Sequence, residues 1–147
     1  MPERETLRRA AKDKAEGKSP STQAGEFVHE EIEHIREGKH GARSAKQAIA
    51  IGLSKARRAG VKLPPPKKGQ ASKETREQAK RDVKKGTKAA KKTSTKRSRA
   101  ALNALKGEGR SAASKIALSR HAHKAAAKRS AASRSSSARK AAATRKK

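Results

Sequence analysis

Large apolar side chains recur at helical spacing in one part of this chain only. Between Glu26 and Glu37, Val28, Ile32 and Ile35 stand at i, i+4 and i+7, with Phe27 beside them. That is one stripe of an α-helix, and Glu26, Glu30, Glu31 and Glu33 fall mostly on its other side. The early acids suit the positive end of a helix dipole. Gly38–Gly41 (GKHG) then supplies a glycine-rich turn. A second helix is predicted to open at Ser44, a natural N-cap, with Gln47 completing a capping box. Ile49, Leu53 and Ala56 form its stripe. Gly52 inside it costs about 1 kcal/mol of helix propensity relative to Ala, which a close approach of the first helix would explain. Arg57 and Arg58 favour the negative end of the dipole, Gly60 fits a left-handed position past the end, and Pro64 stops the chain. The pattern therefore predicts a helical hairpin over residues 26–60, within a module spanning 25–63.

Elsewhere the pattern is thin. Residues 1–24 read as a flexible leader: Leu7 is the only large apolar side chain between Met1 and Phe27, and SPST at 19–22 is expected to interrupt any helix there. Pro64–Gly69 (PPPKKG) reads as a hinge. From residue 70 the chain is mainly Lys, Arg, Ala, Ser and Thr. Segments 73–85, 97–106 and 111–129 contain good helix formers, but like charges at i, i+4 oppose them, so fractional helix is expected. The low-complexity end, SAASRSSSARKAAATRKK, is expected to be disordered. Arg43–Ala56 and Arg110–Ala122 share an RSA start and an LS-basic core, a faint internal echo.

Composition strengthens this reading. Leu, Ile, Val and Phe number 15 in 147 residues, and most of the remaining apolar residues are alanine. A highly charged chain with so few large apolar groups is expected to be disordered over much of its length. The predicted fold class is accordingly mostly α: a short helical hairpin followed by a long, largely disordered, fractionally helical basic tail. The hairpin has too few anchors to be stable alone, so a second copy, a protein partner or nucleic acid is expected to complete it. With no cysteine there is no disulfide, thiolate metal site or Cys nucleophile. No run approaches the ~20 apolar residues of a membrane span. The first residues lack the apolar stretch of a secretory signal, so a cytoplasmic location is expected.

Charge carries the functional reading. Residues 1–66 hold 14 basic and 9 acidic side chains, whereas residues 67–147 hold 27 and 4. After Glu108 there are twelve Lys or Arg and no acid. Such a segment attracts polyanions by counterion release, independently of sequence. The expectation is a non-enzymatic, nucleoid-associated protein that binds nucleic acid, DNA favoured and RNA open, by neutralising phosphates. The candidate binding cations are Lys46, Lys55, Arg57 and Arg58 on the hairpin, with Lys84, Lys85, Lys88, Lys91, Lys92, Lys96, Arg97, Arg99, Lys115, Arg120, Lys124, Lys128, Arg129, Arg139, Lys140, Arg145, Lys146 and Lys147 in the tail. One aromatic residue, Phe27, leaves almost no base stacking. The second helix could lie in a groove as a helix-turn-helix unit does, but few Asn or Gln residues are at hand to read bases. The alternatives are an adaptor whose hairpin face (Phe27, Val28, Ile32, Ile35, Ile49, Leu53) binds a protein or a second copy while the tail anchors it, and an RNA- or ribosome-associated protein.

Other chemistry has little footing. Glu31 and His34 have the E-x-x-H spacing of di-iron bundles, and His29 and Glu33 share a face, but no second such motif follows. No metal and no cofactor are expected; His121 and His123 would hold a metal only weakly. No pocket for a small-molecule substrate is expected from so little apolar material, and no catalytic residue. The many serines are spacers or phosphorylation sites that would lower the tail's charge.

Ser44–Gly60 (SAKQAIAIGLSKARRAG), with the preceding GKHGARS, resembles a segment of small, basic bacterial proteins of unknown function. The resemblance implies a bacterial source and names no activity. In composition, the tail looks like the Lys/Ala/Ser-rich tails of linker histones and bacterial histone-like proteins, while the N-terminal module does not look like a linker-histone winged helix.

Overall fold

In the computed structural model, which describes residues 1–86 and 94–145, seven α-helices follow one another. They are α1 (Arg4–Ala15), α2 (Pro20–Arg36), α3 (Ala45–Arg58), α4 (Lys73–Gly86), α5 (Thr95–Lys106), α6 (Lys115–Ala127) and α7 (Ala131–Arg145), with a 3-10 turn at Ser111–Ala113 before α6. Among the described residues the sole β feature is an isolated bridge between Lys68 and Ala71.

Side-chain caps set several of the boundaries. Ser44 Oγ accepts the Gln47 N–H (3.2 Å), and Gln47 Oε1 accepts the Arg43 N–H (2.8 Å), so the reciprocal cap of α3 closes one residue earlier than a standard capping box. Gly60 follows α3 with φ +93°. The first helix of the hairpin is longer than its apolar stripe: it starts at Pro20, not Glu26. Ser19 Oγ accepts the Thr22 N–H (3.3 Å) and Pro20 fills the first helical position, so SPST opens a helix where interruption was expected.

α2 and α3 pack most extensively on each other; α1 lies against α2, and α4 against α3. The 3-10 turn touches α2, α3 and α6. Two apolar clusters result. One gathers Ile32, Ile35, Ala42, Ala48, Ala112 and Ala113, with Val28 and Leu118 against them. The other gathers Ala10, Ala24, Phe27 and Ala56, with Leu53, Val61 and Leu63. Small residues bring the helices together. A Cβ on Gly52 would stand 2.7 Å from Val28 Cα, and one on Gly86 would stand 2.0 Å from the Arg57 carbonyl oxygen.

This arrangement overturns the expected fold class. The leader is α1, held by Ala10, by Arg9–Glu26 (2.7 Å) and by the Glu3 N–H, which donates to Glu30 Oε2 (3.1 Å). Residues 70–86 and 94–145 are not a disordered tail but helices α4 to α7 of a helical bundle. The physical reason lies in alanine. Ala79, Ala112 and Ala113 are buried, and where backbones approach this closely a methyl group fills the space that Leu or Ile fills elsewhere. Counting large apolar residues misses such a core. The hairpin's missing support comes from its own chain: α1, α4 and the 3-10 turn.

Candidate nucleic-acid interface

The cations named from the sequence divide into those the fold uses and those it leaves outside. Lys55 Nζ lies 2.5 Å from Glu31 Oε2 and 3.5 Å from Glu30 Oε1. Arg57 is buried and donates to the Leu63 and Pro64 carbonyls (3.3 and 3.4 Å); burial pulls its pKa below the usual guanidinium value, against the opposing pull of Asp82. Arg58 Nε donates to Asp82 Oδ1 (2.8 Å). Asp82, 1% exposed, also accepts Ser54 Oγ (2.7 Å) and Gln78 Nε2 (3.1 Å). Burial alone would raise the Asp82 pKa; the bonds from Ser54, Arg58 and Gln78 outweigh it and hold the pKa below the aspartate norm. Three of the four hairpin cations therefore join elements together, although Arg58 is itself exposed, and Lys46 is exposed on α3.

The later helices differ. Lys96, Arg97 and Arg99 on α5, Lys115, Arg120 and Lys124 on α6, Lys128 and Arg129 after it, and Arg139, Lys140 and Arg145 on α7 are all exposed, as are Lys84 and Lys85 on α4. Among the described residues no cation of α6 or α7 is ion-paired with a carboxylate. Arg129 folds back onto Ser133 (2.9–3.2 Å) and Ser137. Arg120, Lys124 and Lys128 recur every fourth residue, a stripe with steps of about 6 Å along the helix. Lys88, Lys91, Lys92, Lys146 and Lys147 lie outside the described residues.

Near the start of this basic surface an open cleft of about 450 Å³ is lined by Arg36, Arg110, Ala113, Ser114 and Lys115. Ser114 Oγ caps α6 by accepting the Ala117 N–H (3.1 Å). Arg36 Nε donates to the Ala113 carbonyl (3.1 Å) and its Nη1 to Glu33 (2.8 Å), which fastens the turn to α2. Sequence reasoning missed Arg36 and Arg110. They lie 74 positions apart, and no local pattern brings them together.

The face proposed for a partner is already covered. Phe27, Ile32 and Ile35 are buried, and Val28 and Leu53 are half-buried in the two clusters; Ile49 is also half-buried. A second, wider cleft (about 650 Å³) between α3 and α4 is lined by the acids Glu74, Glu77 and Asp82 and by the bases Arg57, Lys73 and Arg81, so its charges balance.

Residues 13–68 match the model of a family of unknown function, DUF6496; that range contains Ser44–Gly60 and ends before α4. No curated protein and no solved structure matches the chain. Among the described residues no helix is long and apolar enough to cross a membrane.

Proposed function

We propose that the protein is a non-enzymatic, sequence-independent nucleic-acid-binding protein, with duplex DNA as its ligand and the nucleoid as its place of action, in the manner of histone-like proteins. The observation that carries this reading is the stretch after Glu108. Its cations have no acid within the segment, and among the described residues those of α6 and α7 are exposed and none is drawn into an ion pair of the bundle. Three of the four hairpin cations, by contrast, serve the fold, so groove reading by α3 receives little support. Both α6 and α7 are already helical and carry their cations outward, which lowers the ordering cost of binding relative to a coil.

Binding to unrelated duplexes measured across a salt series tests this. Each neutralised phosphate contributes about −0.9 to the slope of log K against log salt. Replacing Arg120, Lys124 and Lys128 by Gln should flatten that slope by about 2.7 if all three contact phosphates. Equal affinities for unrelated sequences and a steep slope agree with the proposal. Absence of binding at low salt, or full competition by structured RNA but not by DNA, refutes the DNA reading.

A further inference from the structure

We propose that Glu31, His34 and His40 form a binding site for a divalent transition-metal ion of the zinc or cobalt type. The three side chains each direct one ligand atom into a group whose members all lie within 4.8 Å of one another. Glu31 and His34 sit three apart on α2, and the glycine-flanked turn after the helix returns His40 to the same place. The missing partner of the E-x-x-H pair is thus a histidine from a loop, not a second helix. Two imidazoles and one carboxylate are the donor set of several open zinc sites.

The hydrogen bonding around His40 points to a cation. His40 is 9% exposed, and its Nδ1 lies 3.0 Å from the Gly41 carbonyl oxygen. That oxygen only accepts, so Nδ1 carries the proton. In the neutral ring Nε2 is then a bare lone pair, and it faces Glu31 Oε1 at 3.1 Å. Two acceptors in contact, with Glu31 1% exposed, require a positive charge between them. A metal ion meets that need, and the Gly41 bond is the second-shell contact that orients a ligating histidine. An additional proton on the ring is the competing solution.

The surroundings fit an ion. Lys55 Nζ holds Glu31 Oε2 at 2.5 Å, which leaves Oε1 turned to the histidines. Glu3 Oε1 stands 2.8 Å from His34 Nε2 and adds a second carboxylate at the rim. Glu3, Glu30 and Glu31 outnumber the lysines that touch them, Lys39 and Lys55. Ligand atoms of a tetrahedral zinc ion stand about 3.4 Å apart, given bonds of about 2.1 Å, so closure takes side-chain movements of about 1 Å.

The test uses the full chain, stripped with a chelator and titrated with zinc by calorimetry and with cobalt by visible absorption. The variant pair His121→Ala/His123→Ala removes the other histidine pair. One ion per chain is expected in the wild type and in that double variant. His40→Ala and His34→Ala should each weaken binding at least tenfold, with circular dichroism confirming retained helix. If His40→Ala unfolds, the half-buried His34 variant and a rise in wild-type melting temperature with added zinc carry the decision. Failure to bind zinc in the micromolar range, binding that disappears in the His121/His123 variant, or binding unchanged in His34→Ala overturns the proposal.

Discussion

Replacing Gly52 by Ala tests the packing of the bundle through the sign of its effect. By propensity alone, a glycine inside a helix is about 1 kcal/mol worse than alanine, so the substitution would stabilise. The structure argues the reverse. A Cβ at Gly52 would meet Val28 Cα at 2.7 Å, the Phe27 carbonyl oxygen at 3.0 Å and Val28 Cγ2 at 3.0 Å. The first two are backbone atoms of α2 and cannot turn aside, so α2 and α3 must separate by several tenths of an ångström. That loosens both clusters, since Phe27, Ile32 and Ile35 all project from α2. Overpacking costs roughly 1–3 kcal/mol; with backbone atoms in the way the upper part of that range, about 2–3 kcal/mol, applies, and subtracting the propensity gain leaves a net loss of about 1–2 kcal/mol. For a chain of this length, a kcal/mol moves the melting temperature by about 2–4 °C, so a fall of about 2–8 °C is expected. Thermal unfolding followed by far-ultraviolet circular dichroism measures it. Gly25→Ala on α2 is the control, because a Cβ there meets nothing within 4 Å; it should raise the melting temperature. If Gly52→Ala melts at or above the wild-type temperature, the close approach of α2 and α3 is refuted.

Three further outcomes follow from the same structure. Asp82→Ala should destabilise by about 2–3 kcal/mol, because it strands Ser54 and Arg58 between α3 and α4; since the folded Asp82 pKa is lowered, this stabilisation is complete above the ordinary aspartate range and is lost as pH falls through the lower folded value, so wild type and variant should converge in strong acid by chemical denaturation. Ser44→Ala should cost about 1 kcal/mol through loss of the α3 cap, read from the denaturant midpoint at unchanged slope. A chain ending at Gly69 lacks Ala79, Asp82, Ala112 and Ala113, and should melt broadly and at a lower temperature than the full chain; equal stability would show that α4 and the 3-10 turn are dispensable to the core.

Ser44, Gln47 and Gly60 illustrate what is legible locally. A cap needs a side-chain oxygen within a few residues of an orphan N–H, and a left-handed position favours glycine, so both can be read from neighbouring letters. The apolar stripe of α2 was equally legible, although its first turn was not, because residues 20–25 carry no large apolar group. The tail was misread for a related reason. Large apolar residues advertise burial, whereas an alanine is buried or exposed according to what lies opposite it. Ala113 is fully buried and Ala117 is not, although it is Ala117 that stands between the large apolar residues Ile116 and Leu118. The candidate basic face on α6 and α7 was visible as charge, while the inward use of Lys55, Arg57 and Arg58 was not.

By itself the sequence determined the helical character of residues 26–60, the cap of α3 and the one-sided excess of cations, because each depends on spacings of a few residues or on composition. Tertiary structure alone decided that small residues at Gly52 and Gly86 let backbones touch, that Ala112 and Ala113 complete a core begun at Ile32 and Ile35, and that His40 meets Glu31. Those outcomes rest on contacts between distant segments, whose free energy depends on how closely two surfaces fit.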